Sequence, residues 1–232
     1  MPTPRVAAVH DLSGFGRCSL SIVMPTLSAM GVQCCPVPTA YLSTHTGGFT
    51  GNTFLDLTDQ MAAVTGHWSA EGVTFDGVYT GFMGSREQMR LTADLIRAFK
   101  RENTVVVIDP VMGDEGKLYN GVTEATVNHM RSMCAVADYV MPNYTEAAYL
   151  AGAPIQEDLT RAEADALVDA LRALGAKAVL ITSAKVEGQF CVVGYDHQRA
   201  EYFRLPFEMV PVFFSGTGDL FSGILTGRVL DG

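Results

Sequence analysis

The chain has 232 residues, which suits one large α/β domain, and we expect a single domain over residues 1–232. Apolar residues make up 48% and charged residues 18% of the sequence, which excludes an intrinsically disordered chain. The net charge of −9 argues against binding to nucleic acid or an anionic membrane, so we expect small-molecule partners. The sequence shows no signal-peptide pattern, no membrane-length apolar run and no metal-like cysteine spacing, which predicts a cytoplasmic protein with reduced thiols.

Short β-rich runs alternate with helical patterns along the chain, as in folds built from βαβ units. In the first half we predict strands over 6–10, 33–42, 76–81 and 104–108, and helices over 18–30 and 85–101, the second capped by Ser85. In the second half we predict strands over 137–141 and 178–182, helices over 145–150 and 161–174, and a hairpin from 189–195 and 199–205. Thr145 is the expected cap of the third helix. The fold class predicted is α/β, with a mainly parallel sheet and an antiparallel edge hairpin.

Parallel sheets bind ligands beyond the carboxyl ends of their strands. Nearly every predicted strand of this chain is followed there by glycine, hydroxyl or carboxylate residues. These segments are 11–14, 43–48, 81–84, 109–114, 142–146, 182–183 and 215–219. We therefore look for chemistry in these segments.

The segment from Ser215 to Asp219 places two glycines and a carboxylate at the start of an apolar, helix-like run. Gly216 and Gly218 permit a turn that points successive N–H groups at one anion, and the helix dipole adds to the attraction. Asp219 would then accept the proton of a substrate hydroxyl that meets a phosphate. An ordinary helix start with Asp219 as N-cap explains the same residues, and the loop alone leaves both interpretations open.

Two acids, Asp109 and Asp114, follow the most buried predicted strand and suit Mg²⁺, which prefers oxygen ligands. A turn with solvated acids is the alternative. Asn143 and Glu146, after another strand, either complete a water-mediated magnesium site or only cap the next helix.

The segment Ser43 to Gly48 carries hydroxyls, an imidazole and glycines, which suits hydrogen bonding to a polar heteroaromatic ring. His45 fits a binding role better than a catalytic one. Phe82 either stacks on a ligand ring or packs in the core. Neither a P-loop nor a GxGxxG, GxSxG or HExxH pattern occurs in the sequence.

Six blocks, taken together and in this order, resemble the pyridoxal/pyridoxamine kinase family of the ribokinase-like superfamily. They are residues 9–17, 42–47, 79–82, 109–114, 142–146 and 216–219. The resemblance implies a ribokinase-like three-layer α/β/α sandwich and a homodimer. By the same resemblance, we expect the C-terminal end at Gly232 to be short relative to the family.

The activity implied by the resemblance is phosphorylation of the 5′-hydroxymethyl group of pyridoxal, pyridoxamine or pyridoxine by ATP with Mg²⁺, a potassium requirement being left open. Asp219 is then the base, and the anion hole is formed by Gly216, Thr217 and Gly218. The implied substrate-binding residues are Asp11, Ser13, Thr44, His45, Thr46, Phe82 and Tyr119. The implied nucleotide-binding residues are Asp109, Asp114, Asn143, Glu146, Thr182 and Ser183, with Asp109 and Glu146 reaching Mg²⁺ through water. Residues 113–119 would form a lid.

Two other functions stay open at this point. A hydroxymethylpyrimidine kinase of thiamine synthesis shares the fold and the glycine loop, and a binding protein could hold vitamin B6 vitamers without turnover. The blocks 10–14 and 43–47 fit the B6 branch better, and an intact Asp219 argues against a non-catalytic protein.

Overall fold

The computed structural model describes residues 2–47, 49–210, 212 and 214–231. Gly48, the last residue of the expected ring-binding segment, lies outside the described residues. The chain packs as two compact units, one formed by residues 1–107 with 213–232 and the other by residues 108–212. The single domain expected from length therefore stays a prediction. Within the described residues, no helix combines the length and the apolar character needed to cross a bilayer.

The first unit contains most of the strands that precede the predicted ligand-binding segments. Its elements are β1 (Arg5–Phe15), α1 (Leu20–Ala29), β2 (Gln33–Thr44), β3 (Phe54–Asp56), α2 (Thr58–Ala70), β4 (Gly77–Thr80), α3 (Arg86–Phe99), β5 (Val105–Ile108) and α7 (Thr217–Asp231). Ile108, the last residue of β5, belongs to the second unit.

Strand β1 lies in the middle of the first unit, paired in parallel with β2 on one side and β4 on the other. Its residues from Val6 to His10 are fully buried, as expected for a strand covered on both faces. The register with β2 shifts between His10 and Leu12, where β2 advances three residues for two of β1. This bulge contains Asp11 and lies inside β1, because the strand continues to Phe15 and does not end at residue 10 as predicted.

Helix α3 follows the sequence prediction closely. The Ser85 hydroxyl accepts the N–H of Gln88 at 3.2 Å, which caps the helix as expected. Helix α2 and strand β3 are not predicted by the sequence pattern. Met61 is the one residue of α2 that is fully buried, so α2 lacks the apolar stripe on which helix prediction relies.

The second unit holds the remaining elements. They are β6 (Gly113–Asp114), β7 (Lys117–Leu118), α4 (Glu124–Cys134), β8 (Tyr139–Val140), α5 (Tyr144–Ala151), α6 (Arg161–Arg172), β9 (Ala178–Val186), β10 (Gln189–Asp196) and β11 (Glu201–Pro206). Strands β8 and β9 are parallel, whereas β9, β10 and β11 form antiparallel pairs. The predicted α/β class, with mainly parallel pairing and an antiparallel hairpin at residues 189–206, is confirmed.

Two local predictions in the second unit are wrong. Strand β9 does not end at Thr182 but continues to Val186, because it pairs with β10 beyond a bulge at Ser183, whose φ is +60°. The cap of α5 is Asn143 and not Thr145: Asn143 Oδ1 accepts the Glu146 N–H, and Glu146 Oε2 accepts the Asn143 N–H, both at 2.9 Å. The expected capping role of Glu146 is confirmed by this capping box.

Candidate active site

Asp219 lies in the first turn of α7, with its side chain 16% exposed. Its Oδ2 accepts the backbone N–H of Ser19 at 2.8 Å, a contact between residues 200 positions apart. Helix α7 begins at Thr217, so Asp219 is inside the helix and not its N-cap. The alternative in which Asp219 only caps a helix is therefore wrong. Its carboxylate is instead held by the turn that precedes α1.

The turn at residues 17–19 and the glycine loop at residues 215–219 are in direct contact. Ser19, whose N–H donates to Asp219, has φ +49°, an unusual value for a residue with a side chain. Gly216 has φ +82°, and a Cβ there would lie 2.0 Å from the carbonyl oxygen of Arg17. Because only glycine combines that φ with that contact, Gly216 allows the loop to reach the turn.

The start of α7 is suited to binding an anion. The first N–H groups of a helix have no partner inside it, and the helix dipole adds positive character there. A Cβ on Gly218 would meet no atom of the described residues within 4 Å, so these residues leave open space beside this turn. The Thr217 hydroxyl donates to the Phe214 carbonyl at 3.4 Å. The backbone N–H of Thr217 belongs to the same group of helix-start donors. This geometry suits the anion hole expected from the sequence.

Asp11 is buried near Asp219, and the two carboxyls influence each other. Burial raises the pKa of Asp11, against the lowering effect of hydroxyl contacts from Ser19 and Ser13. The Ser13 hydroxyl donates to Asp11 Oδ2 at 3.3 Å. Burial also raises the pKa of Asp219, the Ser19 N–H lowers it, and the charge of Asp11 raises it again. A raised pKa brings a carboxylate closer to the strength of a useful general base near neutral pH.

The ring-binding segment at the end of β2 contacts the glycine loop through His45. Its Nε2 lies 3.4 Å from the Ser215 hydroxyl, and its ring packs edge-on against Phe49 with centroids 5.0 Å apart. A Cβ on Gly16 would come within 2.2 Å of the His45 ring, so glycine is needed there. His45 thus joins the predicted substrate segment to Ser215, the residue directly before the predicted anion hole.

The other expected substrate residues of the first unit are less tightly held. The Thr44 hydroxyl is buried without a hydrogen-bond partner in the described chain, whereas Thr46 is exposed. Phe82 is half-buried, and its carbonyl accepts the Thr39 hydroxyl at 3.0 Å, which fixes its backbone while part of its ring stays accessible. Ring stacking by Phe82 stays a prediction.

In the second unit, Glu146 organises the expected nucleotide region. Its Oε1 accepts the N–H groups of Met112 at 2.9 Å and Gly113 at 3.4 Å, while Oε2 is occupied in the capping box. The Asn143 side-chain amide donates to the Gly113 carbonyl at 2.7 Å. Burial raises the pKa of Glu146 well above its ordinary value, and the nearby charge of Asp109 raises it further. Asn143 and Glu146 therefore fix the turn that follows β5.

The segment expected to form a lid is a short hairpin. Strands β6 and β7 are joined by Glu115 and Gly116, both with positive φ, which is a type I′ turn. Asp114 is exposed and accepts the Glu115 N–H at 2.8 Å. Tyr119 follows the hairpin, is 46% exposed and belongs to the second unit, unlike the other expected substrate residues. Its substrate contact and the lid movement stay predictions.

Thr182 and Ser183 lie inside β9 rather than after it. The Thr182 N–H donates to the Pro142 carbonyl at 2.9 Å, and Thr182 bridges in parallel to Asn143. The Ser183 side chain is exposed. The bulge that contains them thus lies beside the start of α5, although the strand does not end there.

The donor atoms of the expected magnesium site are carboxylate oxygens of Asp109 and Glu146. No cluster of three or more His, Cys, Asp or Glu in the described part of the chain could hold a metal by itself. Both Glu146 oxygens already accept backbone N–H groups, so Glu146 fits only a water-mediated contact. Asp109 is buried with a carboxylate, the type of ligand that Mg²⁺ uses together with water and substrate phosphates. The two acids fit Mg²⁺ in that supporting role.

The chain is similar to known proteins in sequence and in fold. The family model for phosphomethylpyrimidine kinase matches residues 24–232. A pyridoxal kinase of Arabidopsis thaliana is 31% identical over 97% of this chain and 74% of its own length. The crystal structure of a Lactobacillus plantarum pyridoxal kinase is 31% identical with a TM-score of 0.90, covering all of this chain and 82% of that one. The chain belongs to the pyridoxal kinase family.

A second crystal structure is also similar to the present chain, a member of the pyridoxal kinase family. It comes from Bacteroides thetaiotaomicron, carries the phosphomethylpyrimidine kinase family name and was solved with pyridoxal. It is 40% identical, with a TM-score of 0.94 over 99% of this chain and 81% of that one. The ribokinase-like superfamily and the kinase class predicted from the sequence are confirmed by these matches.

Three residues of the site were not singled out by the sequence. Ser19 acts through its N–H, which any residue carries, so no sequence signal marks it. His10 lies 4.0 Å from Asp219, and Gly81 makes room for the His10 ring. A histidine inside an otherwise apolar strand, at the end that faces ligands, was the available signal for His10 in this kinase.

Proposed function

We propose that the chain phosphorylates the 5′-hydroxymethyl group of pyridoxal, pyridoxamine or pyridoxine, with ATP as the donor. The observation that carries the proposal is the placement of Asp219 in the first turn of α7, held by Ser19 and next to open space at Gly218. The substrate class is supported by the 31% identical pyridoxal kinases and by the 40% identical structure that contains pyridoxal.

Asp219 is the proposed general base. Its carboxylate takes the proton of the substrate hydroxyl as the new oxygen–phosphorus bond forms and the bond between the γ-phosphorus and the β-phosphate oxygen breaks, releasing ADP. Because the base must be ionised, the rate falls as the pH drops through the raised pKa of Asp219.

The N–H groups of Gly216, Thr217 and Gly218 are the proposed anion hole. Donors fixed at a helix start stabilise the charge that spreads over the transferred phosphoryl oxygens, without reorganisation during the reaction. The absence of a side chain at Gly218 leaves room for those oxygens.

The nucleotide side is proposed to involve Asp109, Asp114, Asn143, Glu146, Thr182 and Ser183. Asp109 and Glu146 would hold Mg²⁺ through water, and the ion would neutralise phosphate charge in a protein whose net charge is −9. Asn143 and Glu146 themselves hydrogen-bond to the backbone of Met112 and Gly113 and so fix that turn.

We also propose that Asp11 contributes to the choice among vitamers. Its carboxyl is buried beside the Ser13 hydroxyl, so a charged amine on the ligand would gain from it more than an aldehyde would. Replacing Asp11 by Asn should lower kcat/KM for pyridoxamine more than for pyridoxal. Equal losses for both vitamers would exclude this role.

A homodimer is proposed on the family resemblance, supported by exposed apolar side chains on the edge strand β3, Phe54 at 50% and Leu55 at 58%. Light scattering coupled to gel filtration tests it, and a 24.9 kDa particle at working concentration would contradict it.

The experiment that tests the activity is a substrate panel. Purified protein is incubated with ATP and Mg²⁺ and, separately, with pyridoxal, pyridoxamine, pyridoxine or 4-amino-5-hydroxymethyl-2-methylpyrimidine, and the phosphate esters are separated by chromatography. We expect turnover of B6 vitamers with a higher kcat/KM than for the pyrimidine. A preference for the pyrimidine, or turnover that survives unchanged in Asp219→Asn, would overturn the proposal.

A further inference from the structure

His10 is a buried polar side chain next to the proposed base. It is 0% exposed, and neither ring nitrogen has a hydrogen-bond partner among the described residues. Its Nδ1 lies 4.0 Å from Oδ1 of Asp219. A buried polar group without a partner costs free energy, so such a group beside a catalytic carboxylate calls for a functional explanation.

The ring of His10 is held in one orientation. A Cβ at Gly81 would lie 2.1 Å from its Nδ1, so the Gly81 backbone packs directly on the ring. Tyr79 also packs edge-on against the ring, with centroids 4.4 Å apart. These contacts keep Nδ1 on the side of Asp219.

The imidazole is neutral, so it contributes an N–H dipole rather than a full charge. Burial lowers the pKa of His10 to about 3. A neutral imidazole carries one proton, on Nδ1 or on Nε2, and an adjacent carboxylate favours the tautomer that points the proton toward it. The other titratable groups near this pair are Asp11 and Cys18, which face Asp219, and Tyr79, which faces His10.

We propose that His10 is a positioning residue, whose Nδ1–H donates to Oδ1 of Asp219 when substrate is bound. Together with the Ser19 N–H on Oδ2, it would fix both oxygens of the carboxylate and leave their remaining lone pairs for the substrate hydroxyl. The resting separation of 4.0 Å exceeds a hydrogen bond, and catalytic contacts commonly shorten in the substrate complex. The inference rests on the proposed role of Asp219 as the base.

The tautomer of His10 gives a test that needs no activity. Nitrogen-15 NMR of the imidazole in the intact protein distinguishes Nδ1–H from Nε2–H, with His10→Asn identifying the signal by its loss. We expect Nδ1–H in the complex with a B6 vitamer. A ring protonated on Nε2 would overturn the proposal, because it has no proton to donate to Asp219.

The pH profile separates positioning from simple packing. His10→Phe keeps an aromatic ring but removes the donor, which raises the pKa of Asp219 further. We expect the acidic limb of kcat/KM to move up by about one pH unit and the value at neutral pH to fall ~10–100-fold. His10→Asn, which places an amide near the Nδ1 position, should recover part of the loss.

Thr80→Val is the matched control, since it removes a buried hydroxyl that, like the His10 ring nitrogens, has no hydrogen-bond partner in the described chain. We expect Thr80→Val to alter only the melting temperature, with no shift in the acidic limb of the kcat/KM profile. An unshifted limb in both His10 variants would overturn the proposal. If no vitamer is phosphorylated but His10 is Nδ1–H, the proposed function fails alone. If an active enzyme shows Nε2–H, only the role of His10 fails.

Discussion

The backbone N–H of Ser19 donates to Oδ2 of Asp219 at 2.8 Å, joining the turn before α1 to the first turn of α7. One partner of this bond belongs to the beginning of the chain and the other to its end, so the base is oriented only in the folded protein. The bond also places Asp219 at the N-terminus of α1 as well as α7, where two helix dipoles favour its ionised form.

Asp219→Asn should abolish most of the activity while leaving the fold intact. Asparagine can still accept the Ser19 N–H, but it cannot take a proton, so we expect kcat to fall ~10²–10⁴-fold. The melting temperature should be unchanged or higher, because a partly buried carboxylate is removed. Asp231→Asn, at the exposed end of the same helix, is the control. Near wild-type turnover in Asp219→Asn would refute the base assignment.

Gly216→Ala and Gly218→Ala should fail in different ways. Alanine at 216 needs a left-handed backbone and meets the Arg17 carbonyl, so stability should drop by about 1–3 kcal/mol together with activity. Alanine at 218 meets no atom among the described residues and favours the helix, so the melting temperature should hold while kcat falls on the order of 10²-fold. Calorimetry and kinetics on both variants decide this. Full activity in Gly218→Ala would show that the open space is not used by the phosphoryl group.

Gly81→Ala should disturb the His10 ring and therefore the protein. The added methyl would lie 2.1 Å from Nδ1 of a fully buried ring, and such overpacking commonly costs about 1–3 kcal/mol. Gly84→Ala is a close control, because its methyl would meet Phe82 at an ordinary 3.5 Å and should change stability by less than about 0.5 kcal/mol. Denaturant unfolding measures both. Similar stabilities would mean that His10 can move away freely.

Glu146 makes a pH-dependent contribution to stability whose sign follows from its raised pKa. The folded protein holds the Glu146 proton at pH values where the unfolded chain, titrating near 4.5, has lost it. The contribution is therefore present below about pH 4.5 and is lost as the pH rises through the raised value.

Comparison with Glu146→Gln isolates this effect, since glutamine does not titrate. We expect the melting temperature of wild type, measured relative to that of the variant, to decline as the pH is raised from 5 to 8. Glu163→Gln, at the exposed capping box of α6, is the control because its pKa is lowered and not raised. A constant difference across this range would exclude a raised pKa for Glu146.

The sequence predicts the fold where pattern and caps agree, as in α3 with Ser85 and in the buried strand β5. It misses α2, which lacks an apolar stripe, and it ends β9 too early, because pairing with β10 is a tertiary contact that no local pattern reports. The cap of α5 was misplaced by two residues because Asn143 and Thr145 are both good caps, and the position of Glu146 three residues after Asn143 decides between them.

Site prediction succeeds or fails by a similar rule. Asp219 and its glycines stand together in the sequence, so their local chemistry can be recognised before the structure is known. The contacts of His45 with Ser215 and of His10 with Asp219 join distant segments through side chains of ambiguous meaning. The strained backbone of Ser19 leaves no compositional trace. These features follow from tertiary packing and could only be found in the structure.

The proposed base and two of the proposed anion-hole residues, Thr217 and Gly218, lie in the first turn of α7, and Gly216 directly precedes it. Their spacing is therefore set by helical geometry, about 1.5 Å of rise per residue, and no loop lies between them that could lengthen or shorten. A change of acceptor during evolution cannot be achieved by moving the base away from the phosphoryl group. Differences in substrate specificity among such kinases must instead come from residues at the ends of the surrounding strands. Those residues can change while the spacing between the base and the anion hole stays constant.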